Sequence, residues 1–338
     1  MPVSLPATPR RRYVWSAPLR TPFRGLTSRD GLLLAGEAGW GELSPFCEYD
    51  DAESATWLRA AREAADLDFP PAVRDAVPVN VTVPAVDPER AREIVLASGG
   101  CRTAKVKVGQ RLPDGSVEPV EAELRRVEAV RAVLDTLHGP AVGRIRVDVN
   151  GTWDVDAARR RIPLLDRAAG GLEYVEQPCA TVEELAAVRR AVDVPVAADE
   201  SIRRAEDPLR VVRAEAADVV VLKVQPLGGV RACLDLAEQV GLPVVVSSAL
   251  ESSVGLAAGV ALAAALPELP HACGLATSQL LTRDVTDEPL RPVDGTLPVR
   301  RVGPGAGALA AVAAPPELEQ RWLDRHDRLA ALLDGADA

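Results

Sequence analysis

The chain has 338 residues, 47% of them hydrophobic and 26% charged, with a formal net charge of −10. This is the composition of a packed globular protein, and the length suits a barrel with a cap better than one small domain. With 39 Lys and Arg against 49 Asp and Glu, it is not a protein that grips nucleic acid by neutralising phosphates.

Residues 1–77 read as an α+β capping domain, with strands near 12–17, 31–35 and 39–42 and a helix over 52–66. From residue 78 short β-branched runs alternate with stretches rich in Ala, Arg, Glu and Leu. Strands are predicted at 79–83, 103–108, 144–150, 172–176, 194–198, 219–224, 243–247 and 273–275, with a helix between each successive pair. Eight strands alternating with helices predict an α/β protein whose catalytic domain, 78–282, is a closed (β/α) barrel. The segment 283–338 is Pro- and Gly-rich, ends in a helix over 316–333, and is expected to complete the cap. No GxGxxG opens the first helix and no GxxxxGK[ST] occurs, which argues against the nucleotide-binding open sheets.

The five cysteines are scattered and form no CxxC pair, so neither a disulfide framework nor a zinc site is expected. The basic N-terminus lacks the apolar stretch of a signal peptide, and a cytoplasmic protein is expected. The longest apolar run, 254–266, falls short of the about 20 residues that cross a bilayer and predicts a buried helix, so no membrane partner is expected. The sequence sets no oligomeric state.

The sharpest feature is the lysine count. Only Lys105, Lys107 and Lys223 are lysine, and the other 36 basic residues are arginine. Arginine stays protonated, whereas a buried lysine can lose its proton near neutrality. Polar residues interrupt the predicted strand ends around these lysines: Asp148, Glu176, Asp199, Lys223 and Ser247 follow one another at steps of 28, 23, 24 and 24 residues. Each step is close to one βα unit, which puts one polar group per strand on the C-terminal rim, where barrel active sites lie.

Asp148, Glu176 and Asp199 on one rim would repel unless a cation joined them, and an all-oxygen set favours Mg²⁺, with Mn²⁺ a substitute. Lys105 and Lys107 share one strand face, with Lys223 across the metal. Like charges and burial would lower the lysine pKa values, giving a general base for removing a proton α to a carboxylate of a small molecule, with an enediolate as product.

The motifs Lys105-Val106-Lys107, Asp148-Val149-Asn150, Glu176-Gln177-Pro178, Asp199-Glu200-Ser201 and Lys223 resemble those of the enolase superfamily, in its muconate-lactonizing subgroup. The fold this implies is that superfamily's modified TIM barrel. Within the subgroup the chain is most similar to the o-succinylbenzoate synthase family, dehydratases of menaquinone biosynthesis. Three features carry that likeness: a short cap that includes the segment 39–51, the stretch SSALESSVGL over 247–256, and Arg146 two residues before the first metal ligand.

The resemblance implies that Lys107 removes the α-proton and then assists hydroxide departure on the same face. Lys223 stabilises the enediolate from the other face, Lys105 tunes Lys107, and Asn150 and Glu200 orient the ligands. It also implies that Arg146, Ser247, Ser248 and Gly274 meet the substrate; Arg24 and the loops 23–28 and 46–51 are further contact candidates. N-succinylamino acid racemases and cycloisomerases share the catalytic set and stay open as alternatives. Dipeptide epimerases fit less well, because 273–277 carries no acid. A Schiff-base lyase on Lys223 would leave three carboxylates unexplained, and a non-catalytic scaffold would leave all six residues so.

Overall fold

The computed structural model describes residues 10–23, 25–112, 114–204 and 207–336. Arg24, one of the contact candidates, lies outside the described residues.

The chain opens with a three-stranded antiparallel sheet of β1 (Arg12–Phe23), β2 (Leu26–Ala35) and β3 (Trp40–Leu43), followed by α1 (Asp51–Asp66). Asp50 caps α1 by accepting the Glu53 N–H. The sheet presses close to this helix at Gly41, where a Cβ would stand 1.9 Å from the Ala61 carbonyl oxygen, so no larger residue fits.

After β4 (Ala76–Pro78) seven parallel strands follow in sequence order: β5 (Asn80–Val83), β6 (Thr103–Lys107), β7 (Arg144–Asp148), β8 (Leu172–Glu176), β9 (Val196–Ala198), β10 (Val219–Leu222) and β11 (Val244–Val246). The helices between them are α2 (Pro88–Leu96), α3 (Val120–His138), α4 (Val155–Ala169), α5 (Val182–Arg189), the one-turn α6 (Glu200–Arg203) and α7 (Arg210–Arg213), then α8 (Val230–Val240). One core lies between strands and helices, and a second, smaller cluster of Tyr174, Ala197, Val219, Val221 and Val245 comes from the strands alone.

The predicted eighth strand is reduced to two parallel bridges, and they close the barrel. Cys273 pairs with Val79 on one edge and Gly274 with Ser247 on the other. The Cys273 N–H donates to Pro78 O at 2.7 Å, and the Gly274 N–H to Val246 O at 2.8 Å. The strands lie close here, since a Cβ at 274 would sit 2.5 Å from Ser247 Oγ and would force that hydroxyl to move.

The apolar run expected to be a buried helix forms α9 (Ser253–Ala265), where every residue but the last is buried. The segment after 283 divides. Its first part, with β12 (Thr296–Pro298) paired to β4, sends Val285, Leu290, Leu297 and Val302 into the core that also holds the barrel strands. After α10 (Ala306–Ala311), α11 (Pro316–Ala336) returns to the opening sheet, where Trp322, Leu329 and Leu333 pack with Val14, Trp57 and Leu58. The first part also touches the cap, since Arg301 donates to Ala64 O at 2.9 Å near the end of α1, and its apolar residues share a core with Trp15, Ala17 and Leu33 of the opening sheet. No helix among the described residues is long and apolar enough to cross a membrane.

Glu42 of β3 fastens the opening sheet to the barrel. Its carboxylate accepts from Ser44 Oγ at 2.8 Å, from the N–H groups of Ser252 and Gly255 at 3.2 Å, and from Ser252 Oγ, at the start of α9. Burial pushes its carboxyl up to about 7; the hydrogen bond from Ser252 opposes this and the Glu251 charge adds to it. The folded state therefore holds a proton that the unfolded chain releases near pH 4.5, so this contribution is complete below pH 4.5 and is lost as pH rises towards 7. Glu42→Gln cannot titrate. In urea denaturation at a series of pH values, wild-type stability relative to E42Q is expected to fall by roughly 2–3 kcal/mol between those limits. A difference independent of pH would contradict the assignment.

Candidate active site

Parallel register stacks the site's charges on adjacent strands. Lys105 pairs with Arg146, Lys107 with Asp148, and Asp148 with Glu176. Side chains two apart share a face, so Lys105 and Lys107 on β6, Asp148 on β7 and Glu176 on β8 all point into the barrel mouth. Asp199 starts α6, Lys223 follows β10, and Ser247 follows β11.

The contacts are close. Lys105 Nζ donates to Asp148 Oδ2 at 3.0 Å and to both Glu176 oxygens at 2.9 and 3.1 Å. Lys107 Nζ donates to the same Asp148 oxygen and to Asn150 Oδ1 at 2.7 Å. Lys223 Nζ donates to Asp199 Oδ2 at 2.6 Å from the opposite side of the mouth. All three carboxylates are at most 1% exposed.

Burial works against every one of these charges, and the neighbours decide the outcome. Asp148 opposes burial with two ammonium groups and lies well below the usual carboxylate range. Asp199 is held low by Lys223 and Arg203. Glu176 is pushed up to about 7 by burial and by the Asp148 charge, which its contact with Lys105 does not offset. For Lys105 burial would lower the pKa, but Asp148 and Glu176 raise it well above the ordinary lysine value. Lys223 does move down, since burial outweighs its single carboxylate partner.

Three residues just beyond strand ends adopt left-handed backbone without being glycine: Asn150 (φ 51°), Gln177 (φ 40°) and Leu250 (φ 66°). Such strain gathers at functional sites, where the surroundings hold it. Gln177 is fully buried; its Oε1 accepts from the N–H groups of Asp199 and Ser201, and its Nε2 donates to Ser201 Oγ and Cys179 O. It thereby aligns Asp199 with Glu176. Asn150 Nδ2 donates to Glu200 Oε1 at 3.2 Å, which ties Glu200 to the residue that also accepts from Lys107.

The cleft above the cluster is lined by Lys105, Lys107, Asp148, Asn150 and Lys223, by Thr82 and Arg203, and by Ser247, Ser248, Gly274 and Thr277 at the last two strands. Phe23 at the end of β1 and Phe46 in the loop after β3 also line it, and Ala249 and Leu250 complete the wall. Lys107 Nζ lies 5.5 Å from the Phe23 ring centroid.

Arg203 was not anticipated from the sequence, although its place four residues after Asp199 on one helical turn was a readable signal. It donates to Asp199 Oδ1 at 3.0 Å, to Glu200 Oε1 at 2.6 Å and to the Tyr49 hydroxyl, linking the cap to the cluster. Gln177, Thr82 and Thr277 were also missed, because their roles depend on long-range contacts that no local spacing reveals.

Arg146 departs from its expected place. It shares a face with Asp148 but sits one layer deeper, fully buried, and does not line the cleft. Its guanidinium donates to Glu173, the Tyr174 hydroxyl and Ala272 O, all inside the barrel.

Among the described residues no three His, Cys, Asp or Glu side chains are drawn tightly enough together to hold an ion as they stand. Ammonium groups interleave the carboxylates. The donor set nevertheless fits a hard cation in its chemistry: three buried carboxylates at neighbouring strand ends, close enough that the Asp148 charge helps push Glu176 up to about 7.

Residues 14–65 match the family described as enolase N-terminal domain-like, and residues 88–310 the family described as enolase C-terminal domain-like. The chain belongs to the enolase superfamily. It is 66% identical over 309 residues to an o-succinylbenzoate synthase of Thermobifida fusca, covering 91% of this chain and 93% of the relative. To an o-succinylbenzoate synthase of Mycolicibacterium smegmatis it is 54% identical over 318 residues, covering 93% and 94%. A muconate lactonizing enzyme from Pseudomonas fluorescens, solved with muconolactone, superposes with a TM-score of 0.74 at 22% identity, covering 90% of this chain and 98% of that one; at that identity the likeness is one of fold. Enzymes of the enolase superfamily use a divalent metal.

The placement of Arg146 has a measurable consequence. Arg146→Met removes the partner of Glu173 inside the barrel and is expected to lower stability by roughly 3 kcal/mol in chemical denaturation. The KM of the folded variant should match the wild type. A raised KM with unchanged stability would restore Arg146 to the substrate site.

Proposed function

We propose that this enolase-superfamily chain is an o-succinylbenzoate synthase that dehydrates 2-succinyl-6-hydroxy-2,4-cyclohexadiene-1-carboxylate to 2-succinylbenzoate, in menaquinone biosynthesis. The observation that carries the reading is the pair of lysines on opposite sides of three buried carboxylates, in a chain that is 66% identical over 309 residues to a protein of that name.

The residues divide the work by position. Lys107 Nζ, part-exposed to the cleft, takes the proton from the carbon α to the substrate carboxylate. The electron pair left behind moves into the carboxylate, forming the enediolate. The same ammonium then gives its proton to the departing hydroxyl on that face, which leaves as water, while the new double bond completes the aromatic ring. Asn150 and Asp148 hold Lys107 in line through its own hydrogen bonds. Lys223 faces the other side of the substrate carboxylate and balances its growing negative charge.

Asp148, Glu176 and Asp199 would hold the divalent cation, Mg²⁺ with Mn²⁺ as substitute, and Glu200 and Asn150 would orient them. When bound, the cation supplies Lewis-acid stabilisation of charge on the substrate carboxylate. Ser247, Ser248 and Gly274, with Thr277, stand where the succinyl arm would pass. Phe23 and Phe46 cover the ring and exclude water.

The test is conversion of the cyclohexadiene substrate to 2-succinylbenzoate, followed by absorbance, beside an assay of N-succinyl amino acid racemisation. Dehydration is expected from the purified protein; racemisation without dehydration would overturn the reading. Lys107→Arg keeps the charge but cannot serve as a base, so turnover should fall about 10³-fold while the fold survives. Removing divalent ions with EDTA should abolish turnover, and adding Mg²⁺ back should restore it. Activity that persists in EDTA would contradict the metal assignment.

A further inference from the structure

The cleft's wall is made of two pieces far apart in sequence. Phe46 comes from the loop after β3, and Ala249 and Leu250 from the turn after β11. No covalent link sets their separation. The turn itself is under tension: Leu250 holds a φ of 66°, unfavourable for a side chain larger than glycine, and the Glu251 carboxylate spans the turn to accept the Ala249 N–H at 2.7 Å.

Arg29 of β2 touches both pieces. It is 1% exposed and does not itself line the cleft. Its Nε donates to Leu250 O at 3.2 Å, and one Nη donates to Ala249 O at 3.3 Å and to Ser44 O. The other Nη donates to Asp30 O at 3.0 Å. The guanidinium plane lies 4.4 Å from the centroid of the Phe46 ring. A planar fork of five N–H donors can lie against an aromatic face and reach four separate carbonyls at once; an ammonium with three donors cannot.

We infer that Arg29 is a positioning residue for substrate recognition, which fastens Phe46 and the Ala249–Leu250 turn into one wall and so sets the width of the cleft over the substrate ring. The inference rests on the dehydratase reading only for what occupies the cleft; the clamp itself is a property of the protein. Because Arg29 acts through the wall and touches no reacting atom, its loss weakens substrate binding more than it slows the chemical step.

Arg29→Lys keeps a positive charge near Glu42 and Glu251 but loses the fork. With the cyclohexadiene substrate, KM is expected to rise about tenfold while kcat stays within about threefold of wild type. A wild-type KM would overturn the inference, as would a loss confined to kcat. Hydrogen exchange of ligand-free R29K should show residues 44–47 and 248–252 exchanging faster together, with the barrel strands unchanged; no change in either segment would overturn it. This second readout needs no substrate. Failure of the wild-type protein to dehydrate would therefore count against the proposed function alone. Should R29K not fold, hydrogen exchange of the wild type with 2-succinylbenzoate decides: joint protection of the two segments is expected, and protection of one without the other overturns the clamp.

Discussion

Three carboxylates buried side by side at the mouth of a barrel are the constraint on which the rest of the structure turns. Alone, none of them could stay ionised out of water, and together they repel. The fold answers with cations delivered from both sides: two lysines one strand earlier and one lysine two strands after the middle acid. Parallel register is what makes this possible, because it lays Lys107 beside Asp148 and Asp148 beside Glu176 without any side chain reaching far.

The same constraint separates the lysines chemically. Lys105 is shared between two acids, whose charges raise its pKa well above the ordinary lysine value. Lys223 meets one acid, with the Arg203 cation nearby, and burial carries its pKa down. Lysine rather than arginine at these places thus has two different reasons. One lysine has to fit a compact ammonium between two carboxylates, and at the proposed catalytic positions the group has to exchange a proton. The cap then completes the site by contributing Phe23, Phe46 and, through Tyr49 and Arg203, a hydrogen-bonded link to Asp199.

Much of this was legible beforehand. Alternating strand and helix patterns marked the barrel, and one-unit spacing placed Asp148, Glu176, Asp199 and Lys223 on a common rim, because period and polarity are local properties of sequence. What could not be read were properties that depend on depth and on distant partners. Arg146 lies on the correct face but a layer too deep, and no spacing distinguishes the layers of a barrel. The eighth strand shrank to bridges at Cys273 and Gly274, since closing the barrel needs only those two pairings. Gln177 was visible within a motif, yet its task of aligning Asp199 appears only when β8 and β9 stand side by side. Glu42 and Arg29 fasten the cap to residues some two hundred positions away, beyond any local pattern.

The central claim is that lysine at this mouth breaks a carbon–hydrogen bond next to a carboxylate. Single-turnover dehydration of substrate carrying deuterium at that carbon tests it most directly. The account predicts a chemical step several-fold slower than with the protiated substrate. Equal rates, with chemistry shown to limit the single turnover, would contradict proton abstraction as the event around which these charges are arranged.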